Sequence, residues 1–154
     1  MNTPPENYPE SPEHLWHQFF QFTQIPRPSG KEEQIRNYIL SVALTHHLKS
    51  HVDSVGNIII YVPGKGCNKN NETVIIQNHI DMVTDKTPEH EHNFDTDPLQ
   101  IYVENGWVSA LNTTLGADNG IGCAAALAML EEEGLNHPPL ELLFTVDEET
   151  GLNG

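Results

Sequence analysis

Three short stretches of this 154-residue chain carry side chains able to do chemistry. The first is His79-Ile80-Asp81, directly after an apolar run. In an extended segment residues two apart share a face, so the imidazole and the carboxylate project together. Neutral imidazole is a good zinc ligand, and a carboxylate accepting its second N–H fixes the tautomer and raises its basicity. Alone, such a pair is ordinarily a surface His beside a solvated Asp. The second stretch, Leu115-Gly116-Ala117-Asp118-Asn119-Gly120, opens an Ala-rich segment. An Asp there is ordinarily a helix cap, but a cap needs no flanking glycines. Gly116, Gly120 and Gly122 point to unusual dihedrals or close backbone approach. The third, Asp147-Glu148-Glu149, ends another apolar run. It reads either as an acidic loop or as a metal-site pair, in which one carboxylate binds and its neighbour takes a proton from water. Taken together, a bridging carboxylate flanked by a His and a Glu is the skeleton of a two-metal hydrolase.

The elements that must position these residues follow from the apolar pattern. Ser11-Pro12-Glu13 starts a helix, with Ser11 as N-cap and Pro12 at the first helical position. Leu15, Trp16, Phe19, Phe20 and Phe22 form its apolar face, and Ile25-Pro26 ends it. Ser29-Gly30-Lys31-Glu32 matches a capping box for a second helix, with Ile35, Tyr38, Ile39 and Val42 inward. Residues 12–50 are thus expected to be mainly helical. Apolar runs predict strands at 57–62, 73–78 and 140–146, all mostly buried in one sheet. Asn105-Gly106 predicts a hairpin between 101–103 and 107–110. Residues 119–131 form a small-residue helix ending near Gly134. The fold class expected is α/β: a mixed, mostly parallel sheet flanked by helices on both faces. Ligands collect at the carboxyl ends of such strands, where all three stretches fall. Residues 1–11 are polar and Pro-rich and are expected to be a disordered tail, leaving 12–154 as one domain.

Bulk properties narrow the function. Seven Lys and Arg stand against twenty-two Asp and Glu, a formal charge of -15. Such a field repels phosphate backbones and anionic lipid, so nucleic-acid and membrane partners are not expected. Cys67 and Cys123 are too few for a disulfide scaffold. The first residues lack the charge and apolar core of a signal peptide, and no apolar run approaches a membrane span. A soluble cytoplasmic protein is expected. His90-Glu91-His92 could chelate a metal but sits in a Pro- and Asp-rich loop. His14, His17, His46, His47 and the run Glu131-Glu132-Glu133 read as solvated.

Beyond these signals, the residues match a family in detail. Asn78-His79-Ile80-Asp81-Met82-Val83, the run Thr113–Gly122 and Glu148-Glu149-Thr150-Gly151-Leu152 resemble the Xaa-His dipeptidases, as do Ile25-Pro26-Arg27-Pro28-Ser29 and Val55-Gly56-Asn57. The resemblance runs from about residue 12 to the end, in order. It implies a zinc exopeptidase-like catalytic domain, here truncated, with 12–154 as its N-terminal part. His79 would bind one zinc, Glu149 the other, and Asp118 would bridge them. Asp81 and Glu148 would be the catalytic residues, Asp81 orienting His79 and Glu148 acting as general base. The resemblance further implies a cis peptide at Asp118-Asn119, a small dipeptide substrate ending in His, and a homodimer in the full-length protein. The family adds a later Asp and His ligand and a second domain, so weak zinc binding and at most residual hydrolysis are expected of these residues alone. A deacylase or tripeptidase of the same fold, or a non-catalytic fragment, stays open as an alternative.

Overall fold

The computed structural model describes residues 2–154. In chain order its elements are α1 (Glu13–Gln24), α2 (Glu33–Thr45), β1 (Lys49–Val52), β2 (Ile58–Val62), a 3-10 turn (Gly66–Asn68), β3 (Val74–His79), β4 (Ile101–Glu104), β5 (Trp107–Ala110), α3 (Ala117–Glu131), β6 (Leu140–Thr145) and a final turn of helix, α4 (Glu148–Gly151). Four strands form one sheet in the order β1-β2-β6-β3, while β4 and β5 form a separate hairpin. The sheet is mixed and flanked by helices, as expected, but it is not mostly parallel. Only β3 and β6 run parallel; β1–β2 and β2–β6 are antiparallel. The reason lies in the connections. β1 turns into β2 through a tight loop, whereas β3 and β6 are joined through α3, the crossover a parallel pair requires.

The core lies on one face of the sheet. Ile58, Ile60, Leu142 and Phe144 pack with Ile35 and Ile39 of α2, Phe22 of α1 and Cys123, Ala126 and Leu127 of α3. Each large apolar side chain buried there contributes roughly 1.5–3 kcal/mol. Burial in β6 alternates residue by residue, and Tyr61 on the opposite face of β2 is exposed. Helices on both faces are therefore not found among the described residues. β3 also departs from the expected burial, since Val74 and Ile75 are exposed on what is an edge strand.

Local chemistry explains the element boundaries. α1 begins after Pro12, whose carbonyl accepts the Trp16 N–H; Ser11 supplies no side-chain cap. The segment before α1 packs rather than straying: the Tyr8 ring meets Trp16 and Phe20 edge-on, and its hydroxyl donates to the Trp16 carbonyl. Met1 of the expected disordered tail lies outside the described residues. His14 pairs with Glu131 at 3.1 Å and Gln18 also donates to Glu131, so these two helix-end groups serve α1–α3 packing rather than being merely solvated. At the β4–β5 turn, Asn105 and Gly106 both take positive φ, the two-residue hairpin turn their types favour. α3 ends at Glu131, and Gly134 adopts positive φ three residues later. Among the described residues no helix is long and apolar enough to cross a membrane.

Candidate metal centre

Because β3 and β6 are parallel neighbours with His79 opposite Thr145, their carboxyl ends emerge side by side. The ladder runs one bond further, from the Ile80 N–H to the Thr145 carbonyl. His79 therefore closes β3, Asp81 sits just past it, and Glu148 and Glu149 open α4 beside them. α3, the crossover, delivers Asp118 to the same edge.

Asp81 is the hub. Its side chain is wholly buried, and it accepts from His79 Nδ1 (3.2 Å), Ser29 Oγ (2.7 Å), and the backbone N–H groups of Glu148 and Glu149 (3.1 Å each). Burial alone would raise its pKa. The Ser29 hydroxyl, the two N–H groups and the adjacent imidazole outweigh it and hold the carboxyl below the ordinary carboxylate range. An ionised Asp81 requires a proton on His79 Nδ1 and turns Nε2 outward. Nε2 lies 3.0 Å from Asp118 Oδ1, with Glu148 Oε2 at 4.0 Å. Ligand atoms of His79, Glu148 and Glu149 all lie within 4.8 Å of one another. A ring nitrogen and a carboxylate oxygen at 3.0 Å share a positive centre, either a proton or a cation. One imidazole nitrogen among carboxylates is a donor set that suits zinc. Glu149 is pushed up from the ordinary carboxylate range, first by burial and then by Glu148, Asp118 and Asp81, against the pull of His79.

Asp118 does not cap α3. It has extended rather than helical dihedrals, follows a left-handed Gly116, and its largely exposed carboxylate turns to His79. The peptide bond to Asn119 is cis, as the family resemblance implies. The cluster thus brings His79, Asp81, Asp118, Glu148 and Glu149 together. The His90-Glu91-His92 loop joins no converging ligand group among the described residues; the His90 and His92 rings stack, and His92 packs against Phe94.

Three supporting residues escaped the sequence reading. Ser29 and Glu32 do not form a capping box. The Ser29 hydroxyl goes to Asp81, and Glu32 Oε1 accepts from the Gly30 N–H at 2.8 Å and the Asp147 N–H at 3.1 Å, tying α2 to the loop after β6. Glu32, Asp81 and Asp147 form a second close carboxylate group, but all three are already engaged by N–H or O–H donors, Asp147 by Thr150 Oγ1 and Asn153 Nδ2. Arg27, only 1% exposed, reaches the carbonyls of Ile80, Asp81 and Gly116. A charged residue between two prolines, followed by an apolar-poor Ser-Gly-Lys-Glu, is the one sequence signal that sets it apart.

Known proteins resemble this chain over most of its length. The cytosol non-specific dipeptidase of Escherichia coli is 45% identical over 144 residues, which is 94% of this chain and 30% of that protein. A Pasteurella multocida peptidase T is 54% identical over 44 residues, 27% of this chain and 11% of that protein. The crystal structure of aminoacylhistidine dipeptidase from Vibrio alginolyticus superposes with a TM-score of 0.90 at 42% identity, covering 94% of this chain and 29% of that one. A Staphylococcus aureus tripeptidase at 22% identity and TM-score 0.73, covering 90% and 37%, shares the fold. This chain thus spans about 30% of the length of the dipeptidase it matches. The sequence profile of peptidase family M20/M25/M40 matches residues 75–154, which carry all five clustered side chains, and the chain belongs to that family.

Proposed function

We propose that residues 12–154 are the N-terminal part of the catalytic domain of a cytoplasmic two-zinc dipeptidase that cleaves dipeptides ending in His. The observation that carries this is the outward Nε2 of His79, its ring fixed by Asp81 and set against Asp118, with Glu148 and Glu149 beside it. His79 and Glu149 would each hold one zinc, and Asp118 would bridge the two. Bound there, the ions would supply Lewis-acid polarisation of the scissile carbonyl and a lowered pKa for the attacking water. Glu148 is the general base, taking the proton of that water as it attacks and returning it to the leaving amine. Asp81 holds the imidazole in one tautomer and, through the Glu148 and Glu149 N–H groups, holds both acidic side chains in place. With two protein ligands per ion, where catalytic sites usually have three, these residues alone bind zinc weakly.

Zinc titration calorimetry, with hydrolysis assays on dipeptides ending in His, dipeptides ending in Ala and a tripeptide, tests the reading. His79→Ala should lose zinc, while Glu148→Ala should keep it and lose any turnover. Zinc affinity untouched by His79→Ala would refute the assignment, and a preference for the tripeptide would move the activity to the tripeptidases.

A further inference from the structure

Arg27 follows α1 in a Pro-Arg-Pro segment, yet its side chain is 1% exposed at the heart of the site. Burying a guanidinium is costly unless every donor is met or a carboxylate lies against it. No carboxylate bonds it among the described residues. Nη1 instead donates to the carbonyls of Ile80 (3.1 Å) and Asp81 (2.9 Å), and Nη2 donates to the carbonyl of Gly116. Nε is buried without a partner. The group also lies 5.6 Å over the Phe22 ring. Burial lowers its pKa, to about 10, which leaves it charged at neutral pH.

The carbonyls it reaches belong to two separate segments. Ile80 and Asp81 immediately follow His79 on the strand side. Gly116 lies two residues before Asp118 on the helix side. Two of the glycines around Asp118 answer to the same group. A Cβ on Gly116 would fall 2.4 Å from Arg27 Nη2, and one on Gly120 would fall 2.7 Å from it. These glycines leave the space the guanidinium fills.

We propose that Arg27 is a positioning residue: its fork clamps the turn before Asp118 to the segment after His79 and so sets the distance between those two metal-binding side chains. This rests on the metal-site reading above. A Lys ammonium keeps the charge, but it is a single point and cannot span both segments.

The test uses cobalt(II) as the probe on the whole 154-residue chain. Arg27→Lys, Arg27→Met and Gly120→Ala are compared with wild type by titration followed through the visible d–d absorption bands, with far-UV circular dichroism checking the fold. Wild type should bind with a defined band pattern. Arg27→Lys and Arg27→Met should fold, bind at least about tenfold more weakly, the scale of losing an outer partner of a metal ligand, and shift the bands. Gly120→Ala leaves every charge in place and pushes only Nη2, so it reads the clamp even where the Arg27 variants fail to fold, and it should weaken binding in the same direction. Wild-type affinity and wild-type bands in Arg27→Lys, or in Gly120→Ala, would overturn the clamp. Absence of cobalt binding by wild type, or binding indifferent to His79→Ala, would instead overturn the metal-site reading, and the clamp with it.

Discussion

Replacing Asp81 by Asn keeps the shape of the hub and removes its charge, and the structure fixes what that costs. Asp81 accepts four hydrogen bonds, two on each oxygen. The amide oxygen of Asn can retain His79 Nδ1 and the Glu148 N–H. Its NH2 then faces the Ser29 hydroxyl, which can turn to accept, and the Glu149 N–H, which cannot. One backbone donor left unpaired in a partly buried site costs about 1–3 kcal/mol, and losing the charge from the two retained bonds removes roughly 1 kcal/mol more. The expected destabilisation is about 2–4 kcal/mol, which for a chain of this size is a fall of roughly 5–15 °C in melting temperature. Asp81→Ala strands all four donors and should exceed it. Ser29→Ala, which removes only one donor, should cost less than either. Urea unfolding followed by circular dichroism measures all three. An Asp81→Asn midpoint equal to wild type at unchanged m-value would refute the hub, and so would Ser29→Ala costing more than Asp81→Ala.

The turn from β1 to β2 supplies a pH test. The Asp53 carboxylate accepts from the N–H groups of Gly56, Asn57 and Val55 and from the Asn57 amide, and these bonds, the Gly56 one foremost, hold its pKa below the usual 3.8. A depressed folded pKa means stability present above the unfolded value and lost as pH falls through the folded one. The wild-type advantage over Asp53→Asn in urea midpoint should be constant between about pH 5 and 7 and shrink below about pH 4; a constant difference down the whole acid limb would refute it. The two cysteines supply a second test. Cys123 is fully buried, its thiol donates to the His79 carbonyl at 3.1 Å, and burial pushes its pKa up to about 12, whereas Cys67 is exposed. Iodoacetamide should modify Cys67 alone in the native chain and both in urea, as mass spectrometry would show; native labelling of Cys123 would contradict the packing of α3 on β3.

What the residues disclosed beforehand depended on how strongly each local pattern speaks. The apolar runs placed three strands within a residue of β2, β3 and β6, and Asn105-Gly106 placed the hairpin. β1 was illegible because Lys49-Ser50-His51-Val52 has neither an apolar run nor an alternation; it is exposed throughout and pairs with β2 along its length. A continuous apolar run also says nothing of strand direction or of position in a sheet, which is why a mostly parallel sheet was expected and why Val74 and Ile75 were expected to be buried. The clustering was legible where residue types are distinctive, as in His79-Ile80-Asp81 and Glu148-Glu149. Its supports were not. Ser29 and Glu32 fit a capping box by type and spacing equally well, and only the fold brings Asp81 and Asp147 within their reach. Gly116 and Gly120 were read correctly as close approach, but what approaches them, Arg27, lies 89 residues from Gly116 in sequence.

The same electrostatics predict how metal couples to folding. Asp118, Glu148 and Glu149 surround one imidazole nitrogen on a chain of formal charge -15, and the nearest buried cation, Arg27, is committed to backbone carbonyls. The pKa of the Glu149 carboxyl is raised first by burial and then by repulsion from Glu148, Asp118 and Asp81, against the pull of His79. The unfolded chain does not hold them together, so the repulsion is a property of the folded state, and a divalent cation that relieves it binds the folded state preferentially. Stabilisation then follows mass action, about 2.7 kcal/mol at a free zinc concentration one hundred times the dissociation constant. For a chain of this length that is a rise of roughly 5–10 °C in melting temperature. The rise should grow with the logarithm of zinc concentration, however weak the binding. It should disappear in His79→Ala, whose folded state keeps the carboxylates but loses the nitrogen, and persist in Glu148→Ala. Differential scanning calorimetry across a zinc series measures it. A melting temperature indifferent to zinc, or one that zinc raises equally in His79→Ala, would mean that the carboxylates and the imidazole do not act as one site.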